Sequence, residues 1–226
     1  MKKIKIIVGH FGSGKTEVAV NLAAHHGKGS AIVDMDTVNP YFRTADAKKQ
    51  LEEMGVRVIV PEYANTNVDI PSLGSEIFSV FASDEENIIF DVGGDDDGAI
   101  ALGMFNPHFA KHGYEMYFVV NKSRPLTSNA DDTIELMRNI EAVSRLKVTG
   151  LINSTHLAHE TTEDIVLSGQ ELTEEISKKT GLSIVFTSVK EELAEQIRNK
   201  INNPVLGLHL YINLPFARKD DNLWQR

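Results

Sequence analysis

The segment Gly9-His10-Phe11-Gly12-Ser13-Gly14-Lys15-Thr16 constrains this chain more than any other feature. It has the spacing G-x-x-x-x-G-K-S/T, between a short apolar run, Lys3–Val8, and a helical pattern, Lys15–His26. Each residue type has a chemical reason to be there. Glycines let the backbone turn so that successive N–H groups point inward at phosphate oxygens. The helix that follows adds its positive N-terminal end. Lys15 is expected to reach the β- and γ-phosphates, and Thr16 to offer its hydroxyl to Mg²⁺. The strand-loop-helix context separates such a phosphate loop from an accidental glycine-rich turn.

The rest of the chain alternates β-rich apolar runs with helical patterns. Strands are expected at Lys3–Val8, Ser30–Asp34, Arg57–Val60, Asn87–Val92, Glu115–Asn121, Val148–Asn153 and Ser183–Thr187. Helices are expected at Lys15–His26, Thr44–Met54, Ser72–Phe81, Asp131–Arg145, Glu163–Lys179 and Glu191–Lys200. The alternation predicts an α/β fold of three layers, a mostly parallel sheet with helices on both faces. Continuously apolar strands fit that arrangement, because parallel strands are covered on both sides. In such sheets ligands sit at the carboxyl ends of the strands, where the unusual residues of this chain cluster. Residues 1–213 read as one nucleotide-binding domain and 214–226 as an irregular C-terminal tail.

Composition narrows the function classes. With 226 residues the chain suits one domain with a single core. A net charge of −9 argues against a broad basic surface for DNA or anionic membranes. The absence of cysteine removes disulfides, iron–sulfur clusters and thiolate metal sites, and fits a reducing, cytoplasmic location. The start of the chain flows into the phosphate loop, so it reads as a strand rather than a signal peptide. No stretch is apolar enough to span a bilayer, so no stable membrane anchor is expected.

Two acidic sites stand behind the loop. Asp34-Met35-Asp36 follows the second strand, and positions two apart in an extended segment point the same way. One carboxylate is placed to orient the Mg²⁺ water shell, the other to position an attacking water. Asp91 ends the run Ile88-Ile89-Phe90, as a Walker B acid does, and is expected to hold Mg²⁺ through water. Val92-Gly93-Gly94-Asp95-Asp96-Asp97-Gly98 then reads as a mobile loop within reach of a γ-phosphate. Its three aspartates are either solvated loop charges or ligands for a second cation or a partner.

An N-terminal phosphate loop, a D-x-D after the second strand, a later Asp-Val-Gly-Gly and the strand end Gly150-Leu151-Ile152-Asn153 together resemble the CobQ/CobB/MinD/ParA group of nucleotide-binding proteins, of SIMIBI type. The resemblance covers roughly residues 1 to 200. It implies an ATP- and Mg²⁺-dependent ATPase that holds nucleotide in a nucleotide-linked homodimer and passes its state to a protein partner. It implies that Gly9, Gly12, Ser13, Gly14, Lys15, Thr16 and Glu17 bind nucleotide, that Lys15 and Asp36 are catalytic, and that Thr16, Asp34 and Asp91 serve the metal. It also implies that Asn153 reads adenine; on its own, an amide there equally serves as a loop cap.

The chain departs from that pattern at His10, where many members carry a second lysine that reaches the other subunit's nucleotide. Arg43, Lys122 and Arg124 are the candidate substitutes. Arg43 follows Asn39-Pro40-Tyr41-Phe42, and it either moves with the γ-phosphate or simply starts the next helix. The segment His10–Ser13 also resembles the loop of GTP-dependent nickel chaperones, which read guanine with N-K-x-D. Here Asn121-Lys122-Ser123-Arg124 has arginine where the guanine-reading carboxylate belongs, which favours ATP. Three functions follow in order: a slow ATPase switch; an enzyme that uses the γ-phosphate to activate a carboxylate, as dethiobiotin synthetase-like members do; and a GTP-dependent metal chaperone, which the lack of cysteine weakens. His156 and His159 read as part of a plain loop, and His25 and His26 as a helix end. The mixed charges of the last two helices read as solvated faces.

Overall fold

The computed structural model describes residues 3–36, 44–60, 71–94 and 96–211. Arg43 with Asn39–Phe42, Asp95 and the tail from 214 onward lie outside the described residues, as do the side chains of Asp96 and Asp97. Eight strands form one sheet: β1 (Lys3–Gly9), β2 (Ser30–Met35), β3 (Arg57–Ile59), β4 (Asn87–Val92), β5 (Glu115–Val120), β6 (Gly150–Asn153), β7 (Ile184–Lys190) and β8 (Val205–Leu208). Their order is β3-β2-β4-β1-β5-β6-β7-β8, and each neighbouring pair is parallel. The fold is an α/β P-loop NTPase-like fold, with helices covering both faces of the sheet.

Strand alternation decides what each face carries. Ile4, Ile6 and Val8 of β1, with Ile88, Phe90 and Val92 of β4, face one cluster. That cluster holds residues of α3 (Pro71–Ala82), α4 (Asp96–Met104), α5 (Asn106–His112), α6 (Ala130–Ser144) and α7 (Glu163–Thr180). Ile7, Ile32 and Ile89 face the other cluster, under α1 (Lys15–His26) and α2 (Thr44–Glu53). A third, small cluster joins α8 (Glu191–Arg198) to Val189 and Val166. By the same period of two, Asp34 and Asp91 fall on the α1 side, where Asp34 pairs in register with Asp91.

The thirteen expected elements are present, with ends shifted by a few residues. The sequence reading left out α4, α5 and β8. The segment after Gly94 was expected to be a mobile loop, and it is shorter: α4 begins at Asp96. Burial explains the helix. Ala99 and Leu102 pack into the main cluster, and Gly103 lets α4 approach α6 closely, since a Cβ there would stand 3.3 Å from the Val143 carbonyl oxygen. No helix among the described residues is long and apolar enough to cross a membrane.

Phe109 of α5 anchors the helical layer. It is fully buried, with Phe90 edge-on at 5.1 Å between ring centroids, and Phe81 at 5.6 Å. Phe109→Ala is expected to cost about 3–5 kcal/mol, the range for deleting a buried aromatic. Urea unfolding of the two proteins measures this.

Candidate functional site

β1 is the point from which the sheet is built in both directions, with β4 on one side and β5 on the other. The crevice at its carboxyl end is where a parallel sheet takes a ligand. The loop Gly9–Gly14 occupies that place and runs into α1. Gly14 caps the helix with φ +94° and no side-chain cap, so the first N–H groups of α1 are left to another acceptor. A side chain at Gly14 is excluded by conformation and by space, since a Cβ would lie 2.8 Å from Ser154 Oγ. The Ser13 hydroxyl is buried and has no hydrogen-bond partner among the described residues.

Lys15 is 6% exposed, and its Nζ donates to the His10 carbonyl at 3.1 Å. Its charge bears directly on Asp91, which is 1% exposed. Burial pushes the Asp91 carboxyl upward from its ordinary pKa; Lys15 and the hydroxyls of Thr16 and Thr44 act the other way, and Asp36 adds to the rise. Thr16 hydrogen-bonds Asp91, and Thr44 Oγ1 donates to Asp91 Oδ2 at 3.2 Å. Asp91 Oδ1 is buried without a hydrogen-bond partner among the described residues. A hydroxyl against a carboxylate with one oxygen to spare suits Mg²⁺, which takes one or two protein ligands and completes its shell with water and phosphate. The described residues hold no group of three or more His, Asp or Glu able to bind a metal by themselves.

Asp34 and Asp36 are differently engaged. Asp34 Oδ1 accepts from the Asp36 backbone N–H at 2.9 Å, so Asp34 shapes the turn that carries Asp36. Asp36 is 9% exposed and close enough to Asp91 to act on it electrostatically. Gly94, after β4, presses on the same place. A Cβ there would stand 2.6 Å from the Phe11 nitrogen and 2.9 Å from Lys15 Nζ. Only glycine lets this loop lie against the lysine.

Two further loops wall the phosphate loop, and sequence reading did not foresee their contacts. From the loop after β5, Arg124 Nε donates to the Gly12 carbonyl at 2.8 Å. Asn121 is fully buried, and its Oδ1 accepts from Ser123 N at 3.0 Å and His156 N at 3.4 Å. From the loop after β6, the His156 ring reaches Gly14, where a Cβ would be 3.0 Å from its Cε1. His156 Nδ1 donates to the Ser154 carbonyl at 2.7 Å. His156 and His159 thus part company, because His159 stands exposed beside Glu160.

Asn153 sits at the end of β6, fully buried. Its Nδ2 donates to the Val166 carbonyl at 3.2 Å, and its Oδ1 accepts from Thr155 N at 3.1 Å. The amide is engaged inside the protein, and contact with a base requires those bonds to be exchanged. Lys122 is likewise engaged, donating to Ser168 Oγ of α7 at 2.6 Å. Burial lowers the pKa of His10 first, and the charges of Lys15 and Arg124 lower it further, which disfavours its cationic form.

Fold and loop together define a P-loop nucleotide-binding protein. The Zeta toxin family model matches residues 1–129, and the chain belongs to that family. No curated protein matches it in sequence. Among solved structures it is similar to cell division protein FtsY of Thermotoga maritima, at 17% identity and TM-score 0.53, over 84% of this chain and 63% of that one. FtsY of Mycoplasma mycoides is similar at 19% identity and TM-score 0.55, over 84% and 60%. The signal recognition particle receptor FtsY of Elizabethkingia anophelis, in complex with GDP, is similar at 20% identity and TM-score 0.52, over 84% and 58%. The chain spans about three fifths of the length of these structures, and the likeness is one of fold.

Lys15→Ala is expected to weaken nucleoside triphosphate binding roughly 10- to 100-fold, the loss of about 1.5–3 kcal/mol for a hydrogen bond to a charged group. Calorimetry measures the affinity, and circular dichroism checks that the fold is retained.

Proposed function

We propose that the chain is a Mg²⁺-dependent nucleoside triphosphatase of slow turnover, with ATP as its nucleotide, whose bound state governs a partner protein. The reading rests on one observation above the others: Lys15, Thr16 and Asp91 converge at the open N-terminus of α1, with Gly94 laid against Lys15 Nζ. The resemblance to the CobQ/CobB/MinD/ParA group supports the same view.

In this reading the N–H groups of Gly9–Thr16 and the Lys15 ammonium hold the phosphates. Thr16 and Asp91 hold Mg²⁺, which offsets phosphate charge. Asp36 accepts a hydrogen bond from the attacking water and fixes its line of approach. Asp34 keeps Asp36 in place through the backbone bond at 2.9 Å. A γ-phosphate beside Lys15 competes with Gly94 for space, so its arrival and loss move the loop that leads into α4. That displacement is the signal a partner reads.

The choice of ATP rests on Arg124, which stands where a guanine-reading carboxylate would and binds the Gly12 carbonyl instead. Two observations favour GTP as a second reading: the engaged amide of Asn153, and the GDP held by one of the similar FtsY structures. Calorimetry with Mg-ATP and Mg-GTP decides, with tighter ATP binding expected; equal or tighter GTP binding reverses the assignment. A sizing column run in each nucleotide reports any nucleotide-linked dimer.

Asp36→Ala is expected to keep nucleotide affinity and slow hydrolysis by at least about tenfold, a low figure for losing a positioned base. Asp91→Ala is expected to raise the Mg²⁺ concentration needed for half-maximal turnover. Mg²⁺ titrations of phosphate release measure both, and the opposite pattern exchanges the two roles.

A further inference from the structure

The cation missing at position 10 has a candidate replacement in the loop after β5. Arg124 follows β5, the strand that lies beside β1, and this adjacency carries it onto the phosphate loop across 112 residues of sequence. Its guanidinium lies against the loop backbone. Nε donates to the Gly12 carbonyl at 2.8 Å, and the place a Gly12 Cβ would take is 3.2 Å from its Cζ and 3.3 Å from one terminal nitrogen. Its charge acts on both His10 and His156.

Three facts separate Arg124 from the other candidates among the described residues. Lys122 is turned away to Ser168. The cationic form of His10 is disfavoured. Arg124 itself forms no salt bridge among the described residues, and Nε is its one hydrogen-bonding nitrogen there. A guanidinium with one N–H anchored keeps its remaining donors in a fixed plane, a geometry suited to phosphate oxygens.

We propose that Arg124 completes the phosphate site from within its own chain, binding the terminal phosphoryl group of a nucleoside triphosphate in place of a lysine from a second subunit. The inference rests on the nucleotide reading above and extends it. An in-chain guanidinium stabilises the charge that spreads over the phosphoryl oxygens during transfer. Its anchor is already formed, so little reorganisation is needed when the nucleotide binds. A site built this way turns over as a monomer.

The test compares the parent with Lys15→Ala, Arg124→Ala and Arg124→Gln, the last keeping an N–H donor for Gly12 without the charge. Phosphate release from Mg-ATP and Mg-GTP is measured across about a hundredfold range of protein concentration, and diphosphate affinity by calorimetry reports an intact loop. Both Arg124 variants are expected to lose about 100-fold in turnover, the low end for removing one such electrostatic stabiliser, and to keep diphosphate affinity. Parental turnover per molecule is expected to be independent of concentration. An equimolar mixture of Lys15→Ala and Arg124→Ala is expected to stay inactive, because each chain lacks one of its own cations. Recovery in the mixture overturns the proposal, since the arginine then acts across subunits. Parental turnover in Arg124→Gln also overturns it, since anchoring Gly12 then suffices. If Lys15→Ala hydrolyses as the parent does, the nucleotide reading falls first and this inference falls with it.

Discussion

Charge is buried at one end of this sheet, and the mutual neutralisation of Lys15 and Asp91 makes that burial tolerable. Each group is all but closed off from water. An isolated carboxylate in that position shifts its pKa upward and takes a proton, and Asp91 is already displaced in that direction. The lysine and two hydroxyls oppose the shift. The arrangement holds one carboxylate oxygen without a hydrogen-bond partner among the described residues and one lysine at a helix start, the groups that the proposed reading gives to a cation and to phosphate. Buried charge of this kind costs desolvation energy, and perturbed groups of this kind cluster at functional sites.

The parallel sheet makes such a concentration possible. Because its strands are covered on both faces, polar groups are driven to their carboxyl ends, and all eight strands end on the same side. Register then sets neighbours: Asp34 lies opposite Asp91, and Ile7, two residues before the loop, lies opposite Asp91 on the other side. Loops after β4, β5 and β6 all close on the phosphate loop, bringing Gly94, Arg124 and His156 against Phe11, Gly12 and Gly14. The Gly94 contact leaves no room for a side chain, and the contacts at Gly12 and Gly14 are tighter than most side chains make. The glycines of the motif thus answer to packing as well as to phosphate.

Some parts of the chain read plainly and others did not, for physical reasons. The apolar strands and the longer helices were legible because alternation and helical spacing are local. The helix α4 was missed because Gly98 and Gly103 lower its intrinsic propensity, and burial of Ala99 and Leu102 overrides that loss. The strand β8 was missed because it is short and contains Gly207. The engagement of Asn153 depends on Val166 of α7 and on the turn at Thr155. An amide at a strand end reads alike whether it meets a base or its own backbone.

Sequence by itself determined the phosphate loop, the D-x-D turn, the acid at the end of β4 and the α/β layering, because each is written within a few residues of itself. Tertiary structure alone decided that Thr44 serves Asp91, that Gly94 lies on Lys15, and that Arg124 rather than Lys122 stands on the phosphate loop. These pairs are separated by 47 and 112 residues in the two hydrogen-bonded cases. Only the order and register of the strands bring them within reach, and that order follows from how the whole chain buries its apolar faces.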